Sequence, residues 1–180
     1  MKIVLAIATP LLLGAMLWAQ KSPTPIAANP KPESPVKWMS WEEAIKKNEQ
    51  APKKIFIDLY TDWCGWCKKM DSGTFSDAAV AAYINNNFYP VKFNAEQRAD
   101  ISYKGHTLKF VANGSRGYHE LAYSLLDGRL GYPSMVYLDE NQNRITISPG
   151  YKPEADMLRE LRYVAEEHYK TMPFDQYKGK

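Results

Sequence analysis

The chain has 180 residues, a formal net charge of +3 from 23 basic and 20 acidic side chains, and 45% hydrophobic residues. That length allows one domain with a modest extension, and the apolar share is ordinary for a packed globular core. Charges of both signs are interspersed rather than blocked, which argues against nucleic acid or another polyanion as partner.

The opening stretch, MKIVLAIATPLLLGAMLWAQ, carries one early charge, Lys2, and then an apolar run to Trp18 that Pro10 and Gly14 interrupt. The run is shorter than the roughly 20 residues a spanning helix needs. It reads as a secretory signal peptide over residues 1–19, cut after Ala19, with an uncleaved anchor as the alternative. Both readings expect the folded part outside the cytoplasm. Residues 20–36 contain Pro23, Pro25, Pro30, Pro32 and Pro35 and few bulky apolar side chains, the composition of a semi-rigid spacer. The domain is expected over 37–180.

A first helix is signalled by SWEEAIKKNEQ, with Ser40 as cap, Glu43 completing a capping box, and Pro52 marking the end. KKIFIDLYT follows, a nearly continuous apolar run that reads as a strand buried on both faces, with Asp58 unexplained inside it. Cys64 and Cys67 come at its carboxyl end, where open α/β sheets place reactive groups. CKKMDSGTF reads as a helix that breaks or kinks at Gly73, and SDAAVAAYINNNF as its continuation, capped by Ser76 with Ala79, Val80, Tyr83 and Ile84 on one face. FYPVKFN is a second strand. Residues 96–130 are less regular, with HTLKFV as a short strand and YHELAYSLL as a helix. PSMVYLDENQNRITISPG reads as a β-hairpin turning at 141–143. A last helix opens with Pro153 at its first position and lines up Met157, Leu158, Leu161, Val164 and Ala165. The order β-α-β, insertion, β-β-α implies a mixed sheet with helices on both sides.

Both cysteines of the chain lie within TDWCGWCKK. A bridge across three residues closes too short a loop to stabilise much by chain entropy, so reactivity is the stronger reason for the pair. Cys64 sits at a helix start, where unpaired N–H groups and the helix dipole favour negative charge. Lowering a thiol pKa from about 8.5 to near 7 needs about 2 kcal/mol, close to what such a terminus supplies. Lys68 and Lys69 would add to this, and Asp62 would oppose it if turned inward. Cys64 is then the nucleophile and Cys67 the resolving thiol, in exchange chemistry that uses no metal or other cofactor. A zinc site would need further ligands, and His106, His119 and His168 have no paired spacing. Haem attachment would need a histidine where Lys68 stands. An inert structural disulfide stays open as a reading. Trp63 and Trp66 frame the pair, either as packing residues or as a partner-binding rim.

FIDLYTDWCGWCKKM resembles the strand–WCGPC–helix signature of the thioredoxin family, and GYPSMVYLD resembles its second signature, a cis-proline loop. The resemblance covers roughly residues 38–169. It implies an α/β thioredoxin-like fold, with a central mixed sheet flanked by helices and an insertion before the cis-Pro loop. It implies that Asp58, six residues before Cys64, is a buried carboxylate that takes the proton of Cys67 through water, and burial would raise its pKa in the useful direction. It makes Pro133 the cis-proline and Tyr132 the preceding residue, whose backbone pairs with an extended substrate. Trp63, Gly65, Trp66, Tyr132 and Pro133 would then form the substrate-binding surface. Trp66 replaces the usual proline between the cysteines, as in a subgroup of secreted bacterial thioredoxin-like proteins. On this resemblance the expected activity is reduction of protein or peptide disulfides in an extracytoplasmic space such as the bacterial periplasm, with electrons from a membrane-bound thiol donor. A disulfide oxidase or isomerase on the same scaffold, and a non-catalytic binding module, are the alternatives.

Overall fold

The computed structural model describes residues 35–179. The expected signal peptide and the spacer up to residue 34 lie outside them. Among the described residues, no helix is long and apolar enough to cross a membrane.

Helix α1 spans Trp41–Gln50. The Ser40 N–H donates to Glu43 Oε2 at 2.8 Å and the Ser40 hydroxyl accepts from the Glu43 N–H at 3.1 Å, the expected capping box. Strand β1, Ile55–Tyr60, is buried from Ile55 to Leu59. Helix α2, Gly65–Ser72, leaves its carboxyl end and stops at Gly73. A 3₁₀ turn over Thr74–Ser76 leads to helix α3, Ala78–Asn87. The cap of α3 is therefore Asp77 and not Ser76. One Asp77 carboxylate oxygen accepts from the N–H groups of Ala79 and Val80, at 3.0 and 2.9 Å. A carboxylate serves the positive end of a helix better than a hydroxyl, and Ser76 instead donates to the Asp71 carbonyl. The buried stripe of α3 moves accordingly to Val80, Ala81 and Ile84, and leaves Ala79 exposed.

Strand β2, Tyr89–Asn94, runs parallel to β1 with Lys92 opposite Asp58. The expected insertion forms two small hairpins: β3 (Ile101–Tyr103) with β4 (His106–Leu108), and β5 (Phe110–Asn113) with β6 (Arg116–His119). HTLKFV is thus two strands of different hairpins rather than one. Lys109 divides them, because its N–H bonds the Glu120 side chain at 2.7 Å and its carbonyl the Glu120 N–H at 2.8 Å. Helix α4, Glu120–Leu125, is capped by the His119 imidazole. Strands β7 (Ser134–Leu138) and β8 (Arg144–Pro149) form the expected hairpin. Helix α5 spans Glu154–Ala165, with Pro153 as its cap and not its first residue, so the helix begins one residue later than expected.

The main sheet has the order β2-β1-β7-β8, parallel between β1 and β2 and antiparallel elsewhere. Alternate residues of each strand face opposite sides. Phe56, Met135 and Tyr137 pack with Val80 and Ile84 of α3 and Met157, Leu161 and Val164 of α5. Ile55, Ile57, Leu59, Phe93 and Val136 pack with Trp41 and Ala44 of α1 and Leu121 and Leu125 of α4. This is an α/β fold with a mixed sheet between helical layers. Val36 is already buried in the α3–α5 layer.

Candidate active site

Beyond Tyr60 the chain turns, and the Cys64 N–H donates to the Thr61 carbonyl at 3.1 Å. Cys64 has extended dihedrals and caps α2, its Sγ accepting the Cys67 N–H at 3.1 Å. Cys64 and Cys67 are joined in a disulfide across this first turn, with Cα atoms 5.3 Å apart. The helix N-terminus is thus aimed at the Cys64 sulfur, as the spacing predicts. Both cysteines are nearly covered, at 4% and 2% exposure, while Gly65 is exposed and Trp63 and Trp66 are 51% and 57% exposed. The tryptophans rim the disulfide and contribute little to the core. Asp62 is turned outward and accepts from the Asn94 side-chain amide at 3.1 Å.

Asp58 lies on the face of β1 that meets α2 and is 1% exposed. Its Oδ2 accepts from Lys92 Nζ at 2.5 Å. Its Oδ1 is buried with no hydrogen-bond partner among the described residues. Burial pushes the Asp58 carboxyl from its ordinary 3.8 up to about 6, against the pull of Lys92 and with a smaller push from Asp71. Lys92 also bonds Asp71 of α2, one turn beyond Cys67. The Lys92 ammonium sits 4.9 Å from the Tyr60 ring, 5.2 Å from Trp38 and 5.5 Å from Phe75. Burial disfavours the Lys92 charge, but the two carboxylates outweigh it and raise its pKa.

The Tyr132–Pro133 peptide bond is cis, immediately before β7. The Tyr132 and Trp63 rings meet edge to face at 6.2 Å. Burial and the nearby Glu96 push the Tyr132 phenol up to about 12, so it stays neutral at any ordinary pH.

Four contacts at this site are absent from the sequence reading. They are Lys92 and Asp71, which are linked to Asp58, and Arg116 and Glu96, which reach Trp63 from the insertion. For Lys92 a signal exists: IFID and YPVK each carry a charge, of opposite sign, at the fourth position of an apolar strand. For Arg116 there is none, because nothing local ties a hairpin tip to a residue 53 positions earlier. Among the described residues, no three His, Cys, Asp or Glu side chains are grouped to hold a metal ion.

A family model described as Thioredox_DsbH, protein of unknown function, DUF255, matches residues 17–168. The chain belongs to this family. Over 122 residues it is 28% identical to the uncharacterized protein B0495.5 of Caenorhabditis elegans, covering 67% of this chain and 15% of that protein. Over 109 residues it is 26% identical to the thiol:disulfide interchange protein DsbD of Colwellia psychrerythraea, covering 58% and 14%. The chain therefore spans about a seventh of the length of these relatives. Among solved structures, a DsbH oxidoreductase superimposes with a TM-score of 0.56 at 17% identity, over 81% of this chain and 94% of that one. A thioredoxin of Thermus thermophilus does so with 0.54 at 19% identity, over 73% and 88%. The Thioredox_DsbH chain thus has the thioredoxin fold. A bridged cysteine pair at a helix mouth on this fold suits thiol–disulfide redox chemistry.

Proposed function

We propose that the chain is a thiol–disulfide oxidoreductase that reduces protein or peptide disulfides outside the cytoplasm. The observation that carries this is the Cys64–Cys67 disulfide closing the first turn of α2 at the carboxyl end of β1. In the reduced enzyme the Cys64 thiolate attacks one substrate sulfur, forms a mixed disulfide and releases the first substrate thiol. Cys67 passes its proton to Asp58 through water, then attacks the Cys64 sulfur. This step restores the Cys64–Cys67 disulfide and releases the second substrate thiol. Two electrons pass to the substrate, and a membrane-bound dithiol donor returns them.

The reducing direction is supported by what surrounds Cys64. Strong oxidants of this kind owe their potential to a heavily stabilised thiolate in the reduced form. Here Gly65 and Trp66 bring no charge between the cysteines, and the donor to Cys64 Sγ among the described residues is the Cys67 N–H. Stabilisation by a helix terminus is moderate, and of the two lysines that follow, Lys68 is exposed and Lys69 lies over the Trp66 and Tyr151 rings. The nearly covered disulfide fits a partner that docks on the exposed Trp63, Gly65 and Trp66, beside the half-buried Tyr132, while Pro133 itself is buried. Export fits the apolar opening stretch of the sequence.

Two measurements test the reading. Pre-reduced Cys67→Ser should retain a peptide disulfide substrate as a stable adduct on Cys64, seen as a mass increase. Recovering no adduct would remove Cys64 as the nucleophile. Equilibration of the wild type with glutathione should give a potential below about −150 mV, and a higher value would make the protein an oxidant.

A further inference from the structure

We propose that Arg116 and Lys69 form two cationic brackets, one on each exposed tryptophan, that select extended polypeptide segments bearing carboxylates on both sides of the disulfide to be reduced. This rests on the reductase reading and specifies its substrate class.

Each tryptophan is held in place yet left open. The Trp63 indole N–H donates to Glu96 Oε1 at 3.1 Å, and the Arg116 guanidinium lies 4.2 Å from the ring centre. Trp66 packs against Tyr151 with ring centres 5.3 Å apart, and Lys69 Nζ sits 4.9 Å from the Trp66 ring and 5.1 Å from Tyr151. Half of each indole nevertheless faces solvent. Fixed, exposed aromatic rings beside a reactive group present area at little entropic cost, as binding surfaces do.

The charges decide what kind of partner fits. Among the described residues, neither Arg116 nor Lys69 is paired with a carboxylate, nor is Lys68 beside it. The acids of this rim are committed to neutral donors: Glu96 to the Trp63 indole and Asp62 to the Asn94 amide. Lys109 of the insertion, by contrast, faces Asp100 at 3.7 Å. A guanidinium stacked on a ring keeps its N–H edge free for a carboxylate, in the planar geometry that suits two parallel hydrogen bonds.

The hairpin is built to deliver Arg116. A Cβ on Gly117 would lie 2.2 Å from the Phe110 ring and 2.4 Å from the Val111 carbonyl, so only glycine lets Phe110 lie across the strand there. Arg98 covers that ring at 4.4 Å. At the hairpin base, the His119 N–H donates to the Ala95 carbonyl at 2.7 Å. Its imidazole contacts the Ala99 carbonyl and accepts the Leu121 N–H, both at 3.1 Å. The segment that supplies Glu96 is thereby tied to the hairpin that supplies Arg116, and both meet at Trp63.

The test follows single-turnover reduction by the pre-reduced full chain. The substrates are three peptides with the same disulfide flanked on both sides by Glu, Gln or Lys, together with neutral hydroxyethyl disulfide. At low salt the wild type should react with the Glu peptide about tenfold faster than with the Lys peptide, with Gln between, and 1 M salt should collapse the spread. Because the readout is the Glu-to-Lys ratio within one variant, a general loss of activity cancels. Arg116→Ala and Lys69→Ala should each lower the ratio, Arg116→Glu should lower it further, and Arg116→Glu combined with Lys69→Glu should take it below one. Equal rates for the three peptides with the wild type, or a wild-type ratio in Arg116→Glu, would overturn the inference and leave the reductase reading intact. Failure to cleave even hydroxyethyl disulfide would overturn both.

Discussion

Lys54 and Lys92 each bridge two carboxylates, at opposite ends of the same central strand. Lys54, just before β1, lies 2.8 Å from Glu140 and 3.0 Å from Glu167, and both acids are 40% exposed. Lys92, beside the carboxyl end, joins Asp71, at 43% exposure, to Asp58, at 1%. Glu167 is held below its ordinary pKa by hydrogen bonds from Lys170 and Lys54. Asp58 is pushed above its own because burial outweighs its lysine. The ion-pair pattern is the same in both places, and water at the acid decides the outcome. An acid that keeps its hydration makes a structural clip, whereas one stripped of it stores a proton near neutral pH.

Lys92→Met should break this comparison most strongly. At pH 8 the wild-type Asp58 is ionised, about two pH units above its pKa of about 6. Without the ammonium, the buried carboxyl must take up a proton instead, which costs about 1.36 kcal/mol per pH unit, or about 3 kcal/mol at pH 8. Below pH 5 Asp58 is protonated in both proteins and this cost vanishes. Denaturant unfolding at pH 5 and pH 8 measures it. A loss of equal size at both values would mean that Lys92 serves packing and not the charge of Asp58.

Asp58→Asn should come next, with the opposite sign at high pH. The unfolded carboxyl ionises near 3.8 and the folded one near 6, so between these values the folded state binds the extra proton. The contribution of Asp58 to wild-type stability is therefore greatest below pH 4 and falls by up to about 3 kcal/mol as pH rises from there to 6 and beyond. The asparagine variant lacks this slope, so it should be the more stable protein at pH 8 and lose that advantage toward pH 4. Its disulfide exchange at pH 7 should nonetheless slow about tenfold, since a buried proton acceptor is gone. Unchanged exchange would reduce Asp58 to a structural residue.

How far each of these groups could be read beforehand follows from the range of the interaction that places it. Ser40 and Glu43 are three residues apart, so the capping box is written in the local sequence, and so is the strand-to-helix step that carries Cys64. The burial of Asp58 follows from the apolar run around it, but its partner depends on parallel register with a strand 34 residues away. Ser76 and Asp77 are adjacent cap formers, and the choice between them rests on the 3₁₀ turn that precedes α3. Glu160 of α5 carries no local signal of its burial. It is buried because Tyr137 and Ser148, from β7 and β8, donate to it at 2.7 and 2.6 Å. Arg116 depends on three long-range facts at once: the hairpin fold, the path of the insertion and the tilt of Trp63.

Lys54→Met should have the smallest effect, and its shape matters more than its size. Burial of Lys54 works against its charge, and the hydrogen bonds of Glu140 and Glu167 outweigh that and raise its pKa. Removing the ammonium leaves two carboxylates that water can solvate, so no buried charge is orphaned. A fall in Tm of about 2–4 °C is expected, the size set by a loss of roughly 1 kcal/mol in a domain of this length. It should be the same at pH 6 and pH 9, because Glu167 is held below its ordinary pKa and Lys54 above its own. Exchange at the distant disulfide should keep its wild-type rate and pH profile. A pH-dependent loss resembling that of Lys92→Met would mean that exposure of the acid does not separate the two clusters, and the account of Asp58 would fail with it.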